Sequence, residues 1–363
     1  MKRKILFVRS DLKLAGPARL MLSSAHSLRS RGIDVVFASS GGELISMLDQ
    51  QGFKHVHIPE LSIEHRSAFS TAIVAFKLAL LCSREKFSII HTFNAHAGVA
   101  AYPAAKITRA KIFNTVLGNG KEFFLKHVPF ELVAVSQSVK TKLISYGVDA
   151  SKIRVVYNST LDANFLLKSK TDFDRLTGQR DQITPITFVS VAMFTGQKGH
   201  KEVVDAVRAY YELDQAPPIR VIFVGDGPKK NDISAYIASL GLESSFQLTG
   251  ATSEVFRQLD AAHVFIHLPE METFGIVLAE AAGRGLPIIA ADVGGIPEVV
   301  DDQQTGYLVN RLDSQAVARK MRELAIDRDM RLKMGWKGAT KSLACFTQEK
   351  MADDLINLYG FLN

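Results

Sequence analysis

Hydrophobic positions along the chain fall into short runs of β-branched and aliphatic residues, separated by longer stretches in which apolar residues recur every three or four positions. The runs predict strands near residues 4–10, 34–40, 55–59, 88–94, 111–117, 131–136 and 153–158 in the first half. In the second half they predict strands near 186–193, 220–225, 246–250, 263–268, 286–292 and 306–309. Strand–helix alternation of this kind is the pattern of βαβ units with a mostly parallel sheet. Residues 17–31 illustrate the helical part: Leu20, Leu22, Ala25 and Leu28 form an apolar stripe that stops at Arg31-Gly32.

The stretch 165–184 is polar and loses this rhythm, so it reads as the linker between an N-terminal domain, 1–170, and a C-terminal domain, 171–346. A chain of 363 residues is long enough for two cores. Near the end, Met351, Leu355, Ile356, Leu358 and Tyr359 are spaced for one more helix, about 347–363. It either caps the second domain or packs back onto the first.

Composition removes several classes. With 47% hydrophobic and 22% charged residues the chain is a folded globular protein. No apolar run reaches the roughly 18–20 residues that cross a bilayer, and Met1-Lys2-Arg3-Lys4 leads directly into a strand-like run without an export signal. Cys82 and Cys345 are far apart and lack metal-ligand spacing, which argues against a disulfide framework or a zinc site. A cytoplasmic protein is expected. Charge is uneven: residues 1–170 hold 24 Lys and Arg against 11 Asp and Glu, whereas the remainder holds 20 against 26. A basic half suits an anionic substrate or the anionic inner face of a membrane, and less well a nucleic acid. Lysines that merely solubilise the domain give the same numbers. Lys121-Glu122-Phe123-Phe124-Leu125-Lys126-His127 is equally open, as an interfacial segment or a packed loop.

In open α/β sheets ligands bind beyond the carboxyl ends of the strands, so the following loops are where chemistry is sought. After the run 263–268 the chain reads Pro269-Glu270-Met271-Glu272-Thr273-Phe274-Gly275-Ile276-Val277-Leu278-Ala279-Glu280-Ala281-Ala282-Gly283. A helix starting near Gly275 leaves Glu272 in the loop and puts Glu280 about 7–9 Å along the helix axis. Free N–H groups at a helix start suit phosphate or sugar oxygens, and a carboxylate among apolar helix residues needs a partner. By spacing alone, a Glu280 on a solvated edge and a Glu272 that merely complements the helix dipole fit as well. Gln197-Lys198-Gly199-His200 opens another helix, where a lysine adds point charge to exposed amides.

The stretch 272–287 resembles the Glu-x7-Glu motif of family 4 glycosyltransferases, a retaining family of the GT-B fold. The resemblance continues through Asp292-Val293-Gly294-Gly295-Ile296-Pro297-Glu298, Thr305-Gly306-Tyr307-Leu308-Val309, Val224-Gly225-Asp226-Gly227-Pro228, Leu248-Thr249-Gly250, Val135-Ser136 and Asn158-Ser159-Thr160-Leu161-Asp162. It covers nearly the whole chain. It implies two Rossmann-like domains facing each other across a cleft, with a nucleotide-sugar donor, a UDP-sugar first among them, in the second domain and an acceptor in the first.

The catalytic residues it implies are Glu272, Lys198 and His96, the last in His91-Thr92-Phe93-Asn94-Ala95-His96. The donor contacts it implies are Glu280, Gly16, Thr273, Phe274, Gly275, Asp226 and Gly250. Gly16, in Leu14-Ala15-Gly16-Pro17, matches the family's Gly-rich loop and is not part of a dinucleotide fingerprint. Two departures stand out. Ser159 replaces a glycine, and Met193 occupies the place of an arginine that many relatives pair with the lysine, leaving Lys13 or Arg19 to substitute for that charge.

The reaction implied is transfer of a glycosyl group to a hydroxyl of a saccharide or lipid-linked acceptor, with retention, in cell-surface polysaccharide or lipopolysaccharide synthesis. No carboxylate nucleophile is identifiable, so the resemblance favours same-face attack with the charge on the departing diphosphate held by Lys198 and helix-start amides. No Asp-x-Asp motif stands in a catalytic loop, so neither a metal nor another cofactor is expected. A non-catalytic sugar-nucleotide-binding protein and a nucleotide-sugar epimerase on the same plan are the rivals.

Overall fold

The computed structural model describes residues 3–13, 16–65, 67–118, 123–162 and 166–361. Leu14 and Ala15 of the glycine-containing loop, Lys121 and Glu122 of the aromatic and basic stretch, and residue 165, the first of the expected linker, lie outside them. The chain divides into two compact units, one of residues 1–160 and 348–363 and the other of residues 161–347.

In the first unit β1 (Lys4–Val8), β2 (Asp34–Ser39), β3 (Lys54–His57), β4 (Ile89–Thr92), β5 (Lys111–Val116), β6 (Glu131–Ala134) and β7 (Ile153–Val155) form a parallel sheet of order β3-β2-β1-β4-β5-β6-β7. Helices α1 (Gly16–Ser30), α2 (Ile45–Gln50), α3 (Ala68–Glu85), α4 (Ala95–Thr108) and α5 (Gln137–Ser145) connect these strands. In the second unit β8 (Ile186–Val191), β9 (Ile219–Val224), β10 (Phe246–Gly250), β11 (Val264–His267), β12 (Ile288–Ala291) and β13 (Gly306–Val309) form a parallel sheet of order β10-β9-β8-β11-β12-β13. Its helices are α6 (Lys170–Arg180), α7 (His200–Tyr211), α8 (Lys230–Ser239), α9 (Val255–Asp260), α10 (Ile276–Gly283), α11 (Ile296–Val299), α12 (Ser314–Ile326) and α13 (Arg328–Cys345). A last helix, α14 (Gln348–Tyr359), belongs to the first unit.

All thirteen strands lie where runs of β-branched and aliphatic residues predict them. Sheets covered on both faces by helices need strands apolar on both faces, and that is what such runs encode. Strand order reverses between β1 and β4 in one sheet and between β8 and β11 in the other, and each reversal leaves a crevice at the carboxyl edge.

The boundary falls at Thr160/Leu161 rather than at residue 170, and the supposed linker contains a helix. α6 is polar along most of its length, which hides it from a periodicity test. It starts at a Ser169 cap that accepts from the Asp172 N–H, and it is anchored by buried Phe173, Leu176 and Arg180. The Arg180 guanidinium donates to the carbonyls of Arg284 (2.7 Å), Asp260 (3.1 Å) and Leu259 (3.2 Å), which fastens α6 to the second unit. Asn158 and Ser159 close the first unit: the Ser23 hydroxyl donates to the Ser159 carbonyl (2.9 Å) and the Gln348 amide to that of Thr160 (2.7 Å). Ser159 is outside the left-handed region, so no glycine is required there.

α14 buries Met351, Leu355, Ile356 and Tyr359 against the first unit's core. The Tyr359 hydroxyl is bonded to Nδ1 of the fully buried His91 (2.5 Å), whose Nε2 meets the Thr115 hydroxyl (2.6 Å). Burial pushes His91 down to about 3. Tyr359→Phe strands a buried ring nitrogen and is expected to cost about 1–3 kcal/mol. The check is chemical denaturation followed by a probe in the first unit. An unchanged midpoint would show that this bond does not hold the helix.

Candidate active site

The two loops at the reversal of the second sheet meet through their backbones. The Glu270 N–H donates to the Gln197 carbonyl at 2.9 Å. Gly199, which caps the start of α7 with φ +81°, passes so close to the next loop that a Cβ would lie 1.9 Å from the Leu268 carbonyl oxygen. A third loop joins them: the Gly295 N–H donates to the Glu272 carbonyl at 3.0 Å, and a Cβ on Gly294 would lie 1.8 Å from that same oxygen. Glycines occupy these positions because the three loops are stacked main chain on main chain, with no volume for a side chain.

This stacking brings together residues far apart in sequence. Lys198 Nζ donates to Glu272 Oε2 at 2.8 Å, while Glu272 Oε1 accepts from the Thr273 N–H at 3.1 Å. Gly275 caps α10 with φ +94°, and a Cβ there would be 3.6 Å from Glu272 Cγ, so the ammonium and carboxylate sit at the mouth of that helix. Glu280 lies on α10 and is half-buried. Phe274, expected among the donor contacts, has its ring buried (1% exposed) and packed edge-on against Phe346, 5.4 Å between centroids. The aromatic side chain belongs to the core, and only its main chain stands at the helix mouth.

Two buried histidines lie behind this pair, and sequence reasoning passed over both because a lone histidine carries no spacing signal. His267, the last residue of β11, places Nε2 3.6 Å from Glu272 Oε2, too far for a hydrogen bond but close enough to couple electrostatically. His200, in the first turn of α7, stacks flat on Phe194 at 4.0 Å. For Glu272, burial pushes the carboxyl up. That push is outweighed by His267 and by the Lys198 charge, which hold the carboxyl down at about 2. Glu272 therefore contributes stability that is present above its ordinary value of 4.5 and is lost as pH falls toward 2.

The histidines act at milder pH. Burial holds His200 at about 4, and burial together with Arg331 holds His263 at about 4. The unfolded chain then takes up these protons first, so the stability is complete above the ordinary 6.5 and falls between 6.5 and 4. Burial holds His267 low as well, so three such groups give a slope of up to about 4 kcal/mol per pH unit. Urea midpoints of the second unit measured from pH 7 to pH 5 are expected to fall steadily, and His200→Phe, which keeps the stack on Phe194, to cut the slope by about a third. A flat profile would contradict buried neutral histidines.

Other expected residues lie on the carboxyl edges. Asp226 follows β9 and accepts the Phe194 N–H through its carbonyl (3.0 Å), and Gly250 ends β10 with its carbonyl accepting the Gly225 N–H (2.9 Å). Lys230, which sequence reading also missed, opens α8 with its ammonium 4.0 Å from Asp226 Oδ2. Met193 is exposed on the same loop as Lys198. In the first unit Gly16 opens α1 after β1 and His96 lies in the first turn of α4 after β4, so they flank that sheet's reversal. Around Gly16 a Cβ would meet nothing within 4 Å, unlike the crowded glycines above. Lys13 and Arg19 are exposed in the first unit. Phe123–His127 forms a single 3-10 turn that buries Leu125 and exposes both phenylalanines. Among the described residues no group of three or more His, Cys, Asp or Glu is placed to hold a metal ion, and no helix is long and apolar enough to cross a membrane.

Two tandem Rossmann-like units, each with its glycine-bearing loops at the reversal point of a parallel sheet, define the fold as GT-B, that of a large class of glycosyltransferases. Residues 14–160 match the Glycosyltransferase Family 4 model and residues 178–341 the model for Glycosyl transferases group 1. The chain belongs to this glycosyltransferase family. It is 26% identical over 352 residues to the N-acetyl-alpha-D-glucosaminyl L-malate synthase of Bacillus anthracis, covering 92% of this chain and 90% of that one. It is 24% identical over 361 residues to the capsular polysaccharide biosynthesis glycosyltransferase CapM of Staphylococcus aureus, covering 94% and 93%. Among solved structures, Anabaena HepE, crystallised with UDP and glucose, superposes with a TM-score of 0.79 at 21% identity over 99% of this chain and 100% of that one.

Proposed function

We propose that this glycosyltransferase takes a sugar from a nucleoside diphosphate, in the first instance UDP, and moves it with retention and without a metal to a hydroxyl of a saccharide or lipid-linked acceptor, in the synthesis of cell-surface polysaccharide or lipopolysaccharide. The observation that carries this reading is the Lys198–Glu272 pair at the mouth of α10, where a helix start and an ammonium supply adjacent positive charge. Lys198 and the amides at the start of α10 hold the diphosphate and stabilise the charge that grows on it as the glycosidic bond to phosphate breaks. Glu272, released from Lys198 as the phosphate binds, accepts hydrogen bonds from sugar hydroxyls. Glu280, within reach along the same helix, accepts from the ribose. Thr273 and Gly275 contribute main-chain contacts, and Asp226 and Gly250 border the nucleotide.

The acceptor hydroxyl attacks from the face the diphosphate leaves, and its proton passes to the departing phosphate oxygen. Positive charge from the protein takes the part a divalent cation plays in other transferases. Relatedness to CapM supports an acceptor of the cell-surface polysaccharide type, UDP bound to HepE supports the donor base, and the basic first unit suits an acceptor at an anionic membrane.

The experiment is thermal shift against UDP, GDP, ADP and their sugars in EDTA, followed by assay of the stabilising sugar with saccharide acceptors and assignment of the product anomer by NMR. A nucleotide at 100 times its dissociation constant stabilises by about 2.7 kcal/mol. Expected are a UDP-dependent shift, retained configuration and turnover in EDTA. Binding without turnover would favour a non-catalytic sugar-nucleotide-binding protein, and interconversion of the free donor without acceptor would favour an epimerase. Inversion or a metal requirement would overturn the proposed chemistry.

A further inference from the structure

A cavity of about 550 Å³ opens on the first unit at the amino ends of β5 and β6, the sheet edge opposite the one that bears Gly16 and His96. α4 joins the two edges: His96 stands in its first turn and Arg109 at its carboxyl cap, about 20 Å away along the axis. Four cations line the cavity: Lys106 in the last turn of α4, Arg109, Lys111 at the start of β5, and Lys152 just before β7. Its one acid, Glu131, is drawn toward Arg154, 3.8 Å away. None of the four cations forms an ion pair among the described residues. The rings of Tyr102 and Phe130, 6.0 Å apart, give one wall an apolar surface.

Cations near the carboxyl end of a helix complement its dipole, which accounts for Lys106 and Arg109. Lys111 and Lys152 lie on other elements; the Lys111 ammonium also stands beside Gly360 just past α14, 3.8 Å from where a Cβ there would be, and Lys152 is close enough to Asp149 to couple with it. Arg109 is also held at φ +58°, the left-handed conformation that glycine adopts more cheaply at a helix end. The charge at Arg109 is kept at a backbone cost, on a pocket wall that carries three further cations.

We propose that this cavity binds a phosphoryl group, of a lipid head group or of a soluble phosphate, at a site independent of the donor. A phosphoryl group carries up to two negative charges on oxygens that accept from several N–H donors at once, which suits a pocket lined by several cations better than a single carboxylate does. The exposed Ile107, between Lys106 and Arg109 in sequence, gives an acyl chain an apolar contact beside the charges.

Two arms test this on the full chain. One measures co-sedimentation with phosphatidylcholine vesicles with and without phosphatidylglycerol, and the other thermal shift by inorganic phosphate against chloride at equal ionic strength. The variant is Arg109→Gly/Lys111→Gln, with UDP-induced stabilisation measured alongside. Binding is expected in at least one arm and is expected to fall at least about tenfold in the variant, with the response to UDP unchanged. Binding to phosphatidylglycerol vesicles alone identifies a lipid source, and a phosphate shift alone a soluble one. Should the double variant lose its circular dichroism, Lys152→Gln replaces it. No binding in either arm, or equal binding by variant and wild type, overturns the proposal. A wild type that ignores UDP yet binds in one arm would count against the donor reading and leave this one standing.

Discussion

Lys198→Met is expected to lower the rate of transfer by about 10²–10³-fold, the usual loss when one preorganised donor to a developing anion is removed. The ammonium stands at the mouth of α10, held there by Glu272 at 2.8 Å and positioned by the main-chain stacking of the Gly199 loop on Leu268. Its removal also frees the Glu272 carboxylate, whose pKa then rises from about 2 toward the usual range. Because that pair is only part-buried, with 32% and 16% of the two side chains exposed, the stability loss stays modest, about 1–2 kcal/mol. The separation of the two effects is the signature. Single-turnover measurements are expected to place the deficit in the chemical step, with Tm lowered by only about 2–8 °C. A variant that turned over at the wild-type rate would show that charge on the leaving group is held elsewhere, Lys230 being the next cation to test.

Gly199→Ala acts by the opposite route. A Cβ there must displace the Leu268 carbonyl, and the left-handed φ adds its own penalty, so a loss of about 3–5 kcal/mol is expected. In a unit of this size that corresponds to roughly 6–20 °C in Tm. Activity should collapse with it, since the same loop carries Lys198. Gly16→Ala supplies the contrast. Nothing surrounds its Cβ position, so stability should change by less than about 0.5 kcal/mol, and any loss of donor affinity then reports a ligand that approaches that backbone. Calorimetry on both variants beside UDP titrations separates the cases. Equal destabilisation by the two would contradict the crowding described at Gly199.

Most of the fold was legible because parallel strands buried on both faces must be apolar on both faces, and such runs have few other uses. The misjudged element, α6, is held by one buried arginine donating to carbonyls of other segments, an arrangement without periodicity. Glu272, Glu280 and Lys198 stood out as charged residues at helix starts or in apolar surroundings. That Lys198 and the Glu272 loop share one site followed from the family resemblance and not from spacing, because they are 74 residues apart and their direct pairing depends on glycine loops stacked main chain on main chain. The burial of the Phe274 ring was hidden for a related reason. Within a motif at a helix mouth, the pattern does not say which member turns inward, and the packing partner Phe346 lies far down the chain.

Calorimetric titration of UDP against UMP in EDTA, on wild type and on Lys198→Met, tests most directly whether this corner of the second unit grips a diphosphate. The β-phosphate should add at least about tenfold to affinity in the wild type, and the advantage should vanish when the ammonium is gone. UDP binding no more tightly than UMP, or an advantage that survives in the variant, would contradict the account.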